Sequence, residues 1–321
     1  MKIGNFKLSS FTALAPMAGI SDNPMRRICH QFGVAWTVGE MISGNPTVRH
    51  TRKTLNRINF YNEPSPIVVQ IAGGDPQQLA ISALYHQKLG AEVIDINMGC
   101  PAKKVCRADA GSALMKNEDL VAEILHSVVD AVDIPVTLKT RLGWDDNHLN
   151  VLNIAHIAED AGVMAIAIHG RSRTQMFSGS ANYELIAQVK RETSMFVWAN
   201  GDINSPQKAQ QVLEKTGADG VMIGRAAYGK PWIFREINEY LSTGSLPEIT
   251  LQTKIDTFLQ HLRMIYDFYG EAHGVRIARK HIIKYLDNIQ SDEMFLQKIK
   301  NIETAFAQYD LLASFLYNLP T

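Results

Sequence analysis

A chain of 321 residues with 46% hydrophobic content can bury a large core, and 32 Lys+Arg against 32 Asp+Glu leave a formal net charge of zero. That balance excludes a global basic field, so contact with a polyanion has to come from local patches. Three widely spaced cysteines, with no C-x-x-C and no zinc-type spacing, exclude a disulfide framework and a structural zinc site and fit a reducing compartment.

At the N-terminus, the apolar run from Phe11 is interrupted by Pro16 and followed by Asp22, which does not make a signal peptide. No apolar run approaches transmembrane length, so a soluble, cytoplasmic, metal-free monomer is expected. Eight short apolar runs then recur, at 13–18, 36–41, 67–72, 93–98, 135–139, 165–169, 196–200 and 220–224, with helical periodicity between several of them. Near-continuous apolar strands that alternate with helices indicate a parallel sheet buried on both faces, and closure into a (β/α)8 TIM barrel is expected. A doubly wound open sheet is the competitor, but no G-x-G-x-x-G follows any strand. After residue 241 the turn chemistry of Ser242-Thr-Gly-Ser-Leu-Pro247 gives way to helix periodicity, with Ile255, Phe258, Leu259, Leu262, Ile265, Tyr266 and Tyr269 on one stripe ended by Gly270. The predicted division is a catalytic barrel over residues 1–241 and a small helical domain over 242–321.

Chemistry in a parallel barrel sits at the carboxyl ends of the strands. In chain order those ends carry Pro16, Met17 and Ala18; Glu40; Gln70; Asn97 and then Cys100; Lys139 and Arg141; His169 and Arg171; Asn200, Gly201 and Asp202; Gly224 and Arg225. A strand-end lysine usually pairs with a nearby carboxylate, and a lone histidine is more often a satisfied core residue than a catalyst. Separate core needs do not explain so many polar groups on one rim. The turns after strands seven and eight are where such barrels bind phosphate, because glycine lets backbone N–H groups approach the anion and Arg225 can fork onto its oxygens. A phosphorylated planar cofactor fits there, with Lys139 beside the pyrimidine of a reduced flavin. The missing dinucleotide fingerprint favours FMN over FAD and makes a nicotinamide donor a transient visitor.

Cys100 follows Gly99 and precedes Pro101, a rigid exit from strand four. As a nucleophile it would need a lowered pKa, whereas as a general acid it should stay protonated, which a thiol of reference pKa about 8.5 does unaided. Lys103 and Lys104 pull toward the thiolate. Cys106 and Cys29 read as packing or surface thiols.

Ala15-Pro-Met-Ala-Gly19, Val69-Gln-Ile-Ala-Gly73, Asp95-Ile-Asn-Met-Gly-Cys-Pro101, Lys139-Thr-Arg141, His169-Gly-Arg171, Ala199-Asn-Gly-Asp202 and Ile223-Gly-Arg-Ala226 together resemble the tRNA-dihydrouridine synthases over essentially the whole chain. Pro231-Trp-Ile-Phe-Arg-Glu236 resembles the bacterial B-type branch in particular. The resemblance implies an FMN enzyme that reduces the uracil C5=C6 bond in the tRNA D-loop with NADPH as electron donor. It implies hydride transfer to C6 and protonation of C5 by Cys100. It places FMN on Pro16, Met17, Ala18, Gln70, Lys139, His169, Asn200, Gly201, Asp202, Gly224 and Arg225, and the uridine against Asn97, Arg141 and Arg171. Trp198 departs from the smaller residue commoner in relatives, and Cys106 stands where Asn is frequent.

Three acid-free basic clusters suit RNA: residues 49–57; Lys103, Lys104 and Arg107; and Arg276, Lys280 and Lys284 at i, i+4, i+8. A charge run is more often a solvated face, but three of them in a neutral chain favour a phosphate track. An FMN oxidoreductase of a free pyrimidine or enone is the alternative enzyme, and it would require neither the helical domain nor the basic clusters. An RNA-binding barrel without chemistry is disfavoured by the intact Cys100 and Lys139.

Overall fold

The protein is described by a computed structural model over residues 1–48, 50–290 and 293–319. Arg49 of the basic run and residues 320–321 of the expected helical domain lie outside the described residues. A short hairpin, β1 (Lys2–Ile3) and β2 (Phe6–Lys7), precedes the barrel strands β3 (Thr12–Leu14), β4 (Trp36–Thr37), β5 (Ile42–Ser43), β6 (Val68–Ala72), β7 (Val93–Met98), β8 (Val136–Arg141), β9 (Ala165–His169), β10 (Phe196–Asn200) and β11 (Gly220–Ile223). All pairings in the nine-stranded sheet are parallel, in the order β4-β3-β11-β10-β9-β8-β7-β6-β5. The two sheet ends are halves of a single strand position. β4 pairs with β3, β5 pairs with β6, and Val38 bridges to Val68 between them, so the ring closes as a TIM barrel.

Two of the expected strands take a different form. Residues 15–18 turn away from β3 instead of extending it, and the run 36–41 breaks at Gly39. The break lets the Glu40 carboxylate accept from the Gly19 N–H and from Arg57 Nε, so strand two fastens the loop that follows strand one.

The strands alternate with period two, and this positions the site. Val69, Ile71, Ile94, Ile96, Leu138, Ile166, Ile168 and Val197 face outward into the layer beneath the helices. Ala13, Val68, Val93, Ala165, Phe196, Trp198 and Met222 fill the lower barrel, joined by Ile3 and Leu8 of the N-terminal plug. Continuing up the same inward rows, Gln70, Asp95, Asn97, Thr137, Arg141, His169 and Asn200 are all buried polar residues. Trp198 is accommodated because its neighbour is Gly220: a Cβ there would lie 2.3 Å from the indole ring.

Helices α1 (Asn23–His30), α2 (Arg52–Arg57), α3 (Pro76–Lys88), α4 (Lys103–Cys106), α5 (Glu118–Ala131), α6 (Val151–Asp160), α7 (Glu184–Glu192), α8 (Pro206–Thr216) and α9 (Ile233–Thr243) accompany the barrel. Side-chain caps from Asp22, Asp75 and Ser205 start α1, α3 and α8. The C-terminal group comprises α10 (Leu251–Tyr269), α11 (Glu271–Ile289), α12 (Glu293–Lys300) and α13 (Ala305–Tyr317). Helix α9 runs past residue 241 to Thr243, where Gly244 ends it at φ 76°. None of the described helices is long and apolar enough to cross a membrane.

These C-terminal helices share one apolar layer with the barrel exterior. Phe258 stacks on Tyr285 at 4.3 Å, and the buried pair His261 and His281 packs beside them. Gly229 allows the backbone of α11 to approach, since a Cβ there would lie 2.3 Å from the Lys284 carbonyl. Tyr269 donates to Asp22, and Lys280 Nζ reaches the Gly19 carbonyl. The group is therefore seated on α1 and on the loop that enters the site.

Burial holds His261 and His169 down at about 3 and pushes His281 well below its ordinary value. The unfolded chain takes up these protons as pH falls through about 6.5, whereas the folded chain does not, so stability is lost on acidification from 6.5 toward 3. Asp22, raised by burial to about 6, acts in the opposite sense and offsets part of the loss. Urea melts should show stability lower by about 3 kcal/mol at pH 5.5 than at pH 7.5, and His261→Gln should flatten that slope. Equal stability at the two pH values would show that these histidines are not held neutral.

Candidate active site

A cavity of about 790 Å3 opens at the carboxyl ends of the strands. Pro16, Met17, Ala18, Gln70, Asn97, Cys100, Lys139, Arg141, His169, Asn200, Gly201, Asp202, Gly224 and Arg225 all line it. That set contains every residue expected to hold the cofactor, the cysteine, and two of the three expected at the uridine.

Asn200 at the end of β10 organises one wall. Its Oδ1 accepts from Lys139 Nζ at 3.2 Å and lies 2.9 Å from His169 Nδ1, while its Nδ2 donates to the Met222 carbonyl at 2.7 Å. Because Oδ1 can only accept, His169 carries its proton on Nδ1, which leaves the buried Nε2 as an unpartnered acceptor. Burial and the nearby Lys139 and Arg141 charges hold this imidazole neutral. Burial, and then Arg141, pull Lys139 down to about 8 against the attraction of Asp95, so its ammonium persists at neutral pH with little in reserve.

The other wall is the turn that carries Cys100. Arg141 Nε donates to the Gly99 carbonyl at 2.8 Å, and its Nη1 donates to the Ser172 and Met176 carbonyls. Ser112 N and Oγ donate to the Cys100 carbonyl at 3.2 and 3.0 Å. Burial pushes the Cys100 thiol up, and Cys106 adds to this, while the Ala102 N–H and Arg141 pull it down by less. The cation that matters to this sulfur is Arg141. Lys103 and Lys104 are exposed on α4, and burial, not the pull expected from that pair, sets the direction of the thiol. Cys106 packs behind the turn, with its Sγ 3.6 Å from the Cys100 carbonyl and 3.5 Å from Ser112 Oγ.

At the phosphate-type end, Gly201 sits at φ 123°, and a Cβ there would come within 2.9 Å of Ala181. Asp202 follows at φ 51°. Arg225 is exposed, 3.3 Å from Asp202, with its guanidinium 4.9 Å from the Phe177 ring centroid. This end and the flavin-type wall fit a phosphorylated planar cofactor: the cavity size is typical of such sites, His169 Nε2 is an orphaned buried acceptor, and Lys139 supplies a cation.

Arg171 does not line the cavity. It is 1% exposed, its Nε and Nη2 donate to the Ser178 and Gly179 carbonyls, and it pairs with Asp202 at 2.6 Å. It holds the segment 172–181 in place, a supporting role behind the cavity where a contact with uridine was expected. What the segment presents to the cavity is Phe177, an exposed ring 6.2 Å from His169 and 5.6 Å from the Arg141 guanidinium. The sequence signal for Phe177 was absent, because it lies in a polar loop with no periodicity. Ile20, Ile203 and Asn204 lie in such loops too, and Met41 read only as the apolar end of strand two.

On α11, Lys280 is anchored at Gly19, beside the cavity-lining Ala18, and Lys284 pairs with Asp287 at 2.8 Å. Arg276 is exposed on the same row. Lys280 therefore sits beside the cavity, and two of the three cations of the row have partners on the protein.

Burial raises Asp202, but the hydrogen bonds from Arg171 and Ala181 and the Arg225 charge outweigh it and keep the carboxyl below its ordinary range. Asp202→Asn should lower stability by about 2 kcal/mol, the scale of a hydrogen bond to a charged group, and speed tryptic cleavage within 171–182. Wild-type proteolysis would mean that the loop is held by other contacts.

The family model for dihydrouridine synthase matches residues 13–318. The tRNA-dihydrouridine synthase B of Xanthomonas campestris pv. campestris is 53% identical over 312 residues, covering 97% of this chain and 94% of that protein. The tRNA-dihydrouridine synthase B of Yersinia pestis is 49% identical over 320 residues, covering 99% of this chain and all of that protein (100%). Among solved structures, a 2-naphthoyl-CoA reductase superposes with a TM-score of 0.57 at 13% identity, covering 76% of this chain and 51% of that one, which is a likeness of fold alone. With its barrel closed, its strand-end residues gathered in one cavity and near-full-length relatives at about half identity, this chain belongs to the dihydrouridine synthase family.

Proposed function

We propose that the chain carries out uridine reduction in tRNA, acting on the C5=C6 bond of D-loop uridines with FMN as resident cofactor, NADPH as electron donor and Cys100 as the proton donor. The observation that carries this reading is the single cavity shared by a thiol raised by burial and the Lys139–Asn200–His169 wall. Pro16, Met17, Ala18, Gln70, Lys139 and His169 would hold the ring of FMN, and Gly201, Asp202, Gly224 and Arg225 its phosphate end, with Asn200 orienting Lys139 and His169. Bound there, reduced FMN supplies the hydride that C6 of the uracil accepts.

The protein's own residues do the rest. Cys100 holds its proton at neutral pH and delivers it to C5, and Arg141 stabilises the thiolate left behind. Asn97 and Arg141 face the base. Phe177 offers an aromatic surface at the mouth, which suits a base drawn out of its stack. The barrel, residues 1–241, acts as the catalytic domain. Residues 242–321 act as the tRNA-facing domain, with Arg276, Lys280 and Lys284 directed along the rim toward phosphates, together with Lys103 and Lys104.

Two measurements test this. With unmodified tRNA and NADPH, mass mapping should show that Cys100→Ala loses about 100-fold or more of uridine reduction while flavin binding and NADPH oxidation persist, and that Cys106→Ala stays active. The reverse pattern would overturn the assignment. For the RNA face, neutralising Arg276 and Lys284 together should weaken tRNA binding and reduce the salt slope by about 1 per cation. Lys280 is tested separately because it also braces Gly19. An unchanged slope would remove α11 from the interface.

A further inference from the structure

Behind the cavity runs a chain of buried side chains that starts at a residue outside its lining and reaches the Cys100 turn through Gln70 and Asn97. Asp95 on β7 is 3% exposed and does not line the cavity. Its Oδ1 accepts from Thr137 Oγ1 at 2.6 Å and its Oδ2 from Gln70 Nε2 at 2.7 Å. Gln70 Oε1 in turn accepts from Asn97 Nδ2 at 2.8 Å. Asn97 Oδ1 then accepts from the backbone N–H groups of Gly99 at 3.3 Å and Cys100 at 3.0 Å. The register of β6, β7 and β8 sets Gln70, Asp95 and Thr137 side by side, so the chain follows from strand pairing.

An amide can point either way round, and each wrong choice in this chain sets donor against donor. A carboxylate only accepts and a backbone N–H only donates, so Asp95 at one end and the Gly99 and Cys100 N–H groups at the other leave a single direction for every link between them. We propose that Asp95 is a positioning residue for proton delivery: through Gln70 and Asn97 it fixes the polarity of the bonds that hold the Gly99-Cys100 turn, and hence the place of the thiol. The proposal rests on the reading of Cys100 as the proton donor.

The test compares Asp95→Ala with Asp95→Asn in the purified holoenzyme. Asp95→Ala removes the acceptor and frees Gln70 to turn. Asp95→Asn keeps one oxygen for Gln70, while the Thr137 hydroxyl can accept from the new amide. Asp95→Ala should lower kcat for uridine reduction by about 100-fold, the scale of a small misplacement, with KM for tRNA and tRNA-independent NADPH oxidation unchanged. Site-resolved mass mapping should show iodoacetamide alkylating Cys100 about threefold faster, as the loosened turn exposes the sulfur. Asp95→Asn should stay within about twofold of wild type in both readouts.

An Asp95→Asn enzyme as impaired as Asp95→Ala, or an Asp95→Ala enzyme with wild-type kcat and alkylation, would overturn the proposal. Should Asp95→Ala fail to fold, Gln70→Met cuts the next link. Compared with wild type at equal flavin occupancy, it should show the same faster alkylation of Cys100, and an unchanged rate would overturn the proposal equally. Failure of the underlying reading looks different: Cys100→Ala would then still reduce uridine.

Discussion

Everything in this molecule depends on closing a parallel barrel whose inward rows change from apolar to polar as they rise. Below, Trp198, Phe196 and Val93 fill the interior with hydrocarbon and indole. Above, the same rows carry Gln70, Asn97, Lys139, His169 and Asn200, which cannot be left without partners in a buried setting. Each such group is therefore oriented by another one. Asn200 uses its oxygen for Lys139 and its nitrogen for the Met222 carbonyl, which leaves His169 only one tautomer. The site is preorganised because it would otherwise be costly to bury.

The second dependence runs from the C-terminal helices to the loop after β3. That loop carries Pro16, Met17 and Ala18, and it is held from two sides. Glu40 takes the Gly19 N–H, and Lys280 donates to the Gly19 carbonyl. The split in strand two has a role in this light, since an unbroken strand would carry Glu40 away from the loop. The apolar seam of Phe258, Tyr285 and the neutral His261–His281 pair sets where α11 lies, and so where Lys280 reaches. The basic row of α11 and the loop that lines the cavity are thus mechanically joined.

The thiol shows how competing terms settle. Two lysines follow Cys100 closely in sequence, and counting charges alone favours a thiolate. In space those lysines are exposed on α4, while burial dominates at the sulfur and Arg141 is the cation that acts on it. Desolvation outweighs a screened surface charge, and the thiol keeps its proton.

Strand and helix positions could be read from composition and periodicity, because a parallel barrel writes its strands as continuous apolar runs between helical stretches. The polar ends of those runs could be read as one rim for the same reason, and all but one of the residues expected inside the cavity line it. Arg171 could not be placed from its motif, since its partners Ser178, Gly179 and Asp202 lie on a folded-back loop and across a strand. Phe177 gave no signal, and Lys280 read as a free cation until packing brought it to Gly19. Local order and strand-end chemistry are short-range properties of the chain, carried by residues a few positions apart. Hydrogen-bond direction, burial and the choice of partner depend on how loops, strands and helices come together in space, and for those the tertiary structure had to decide.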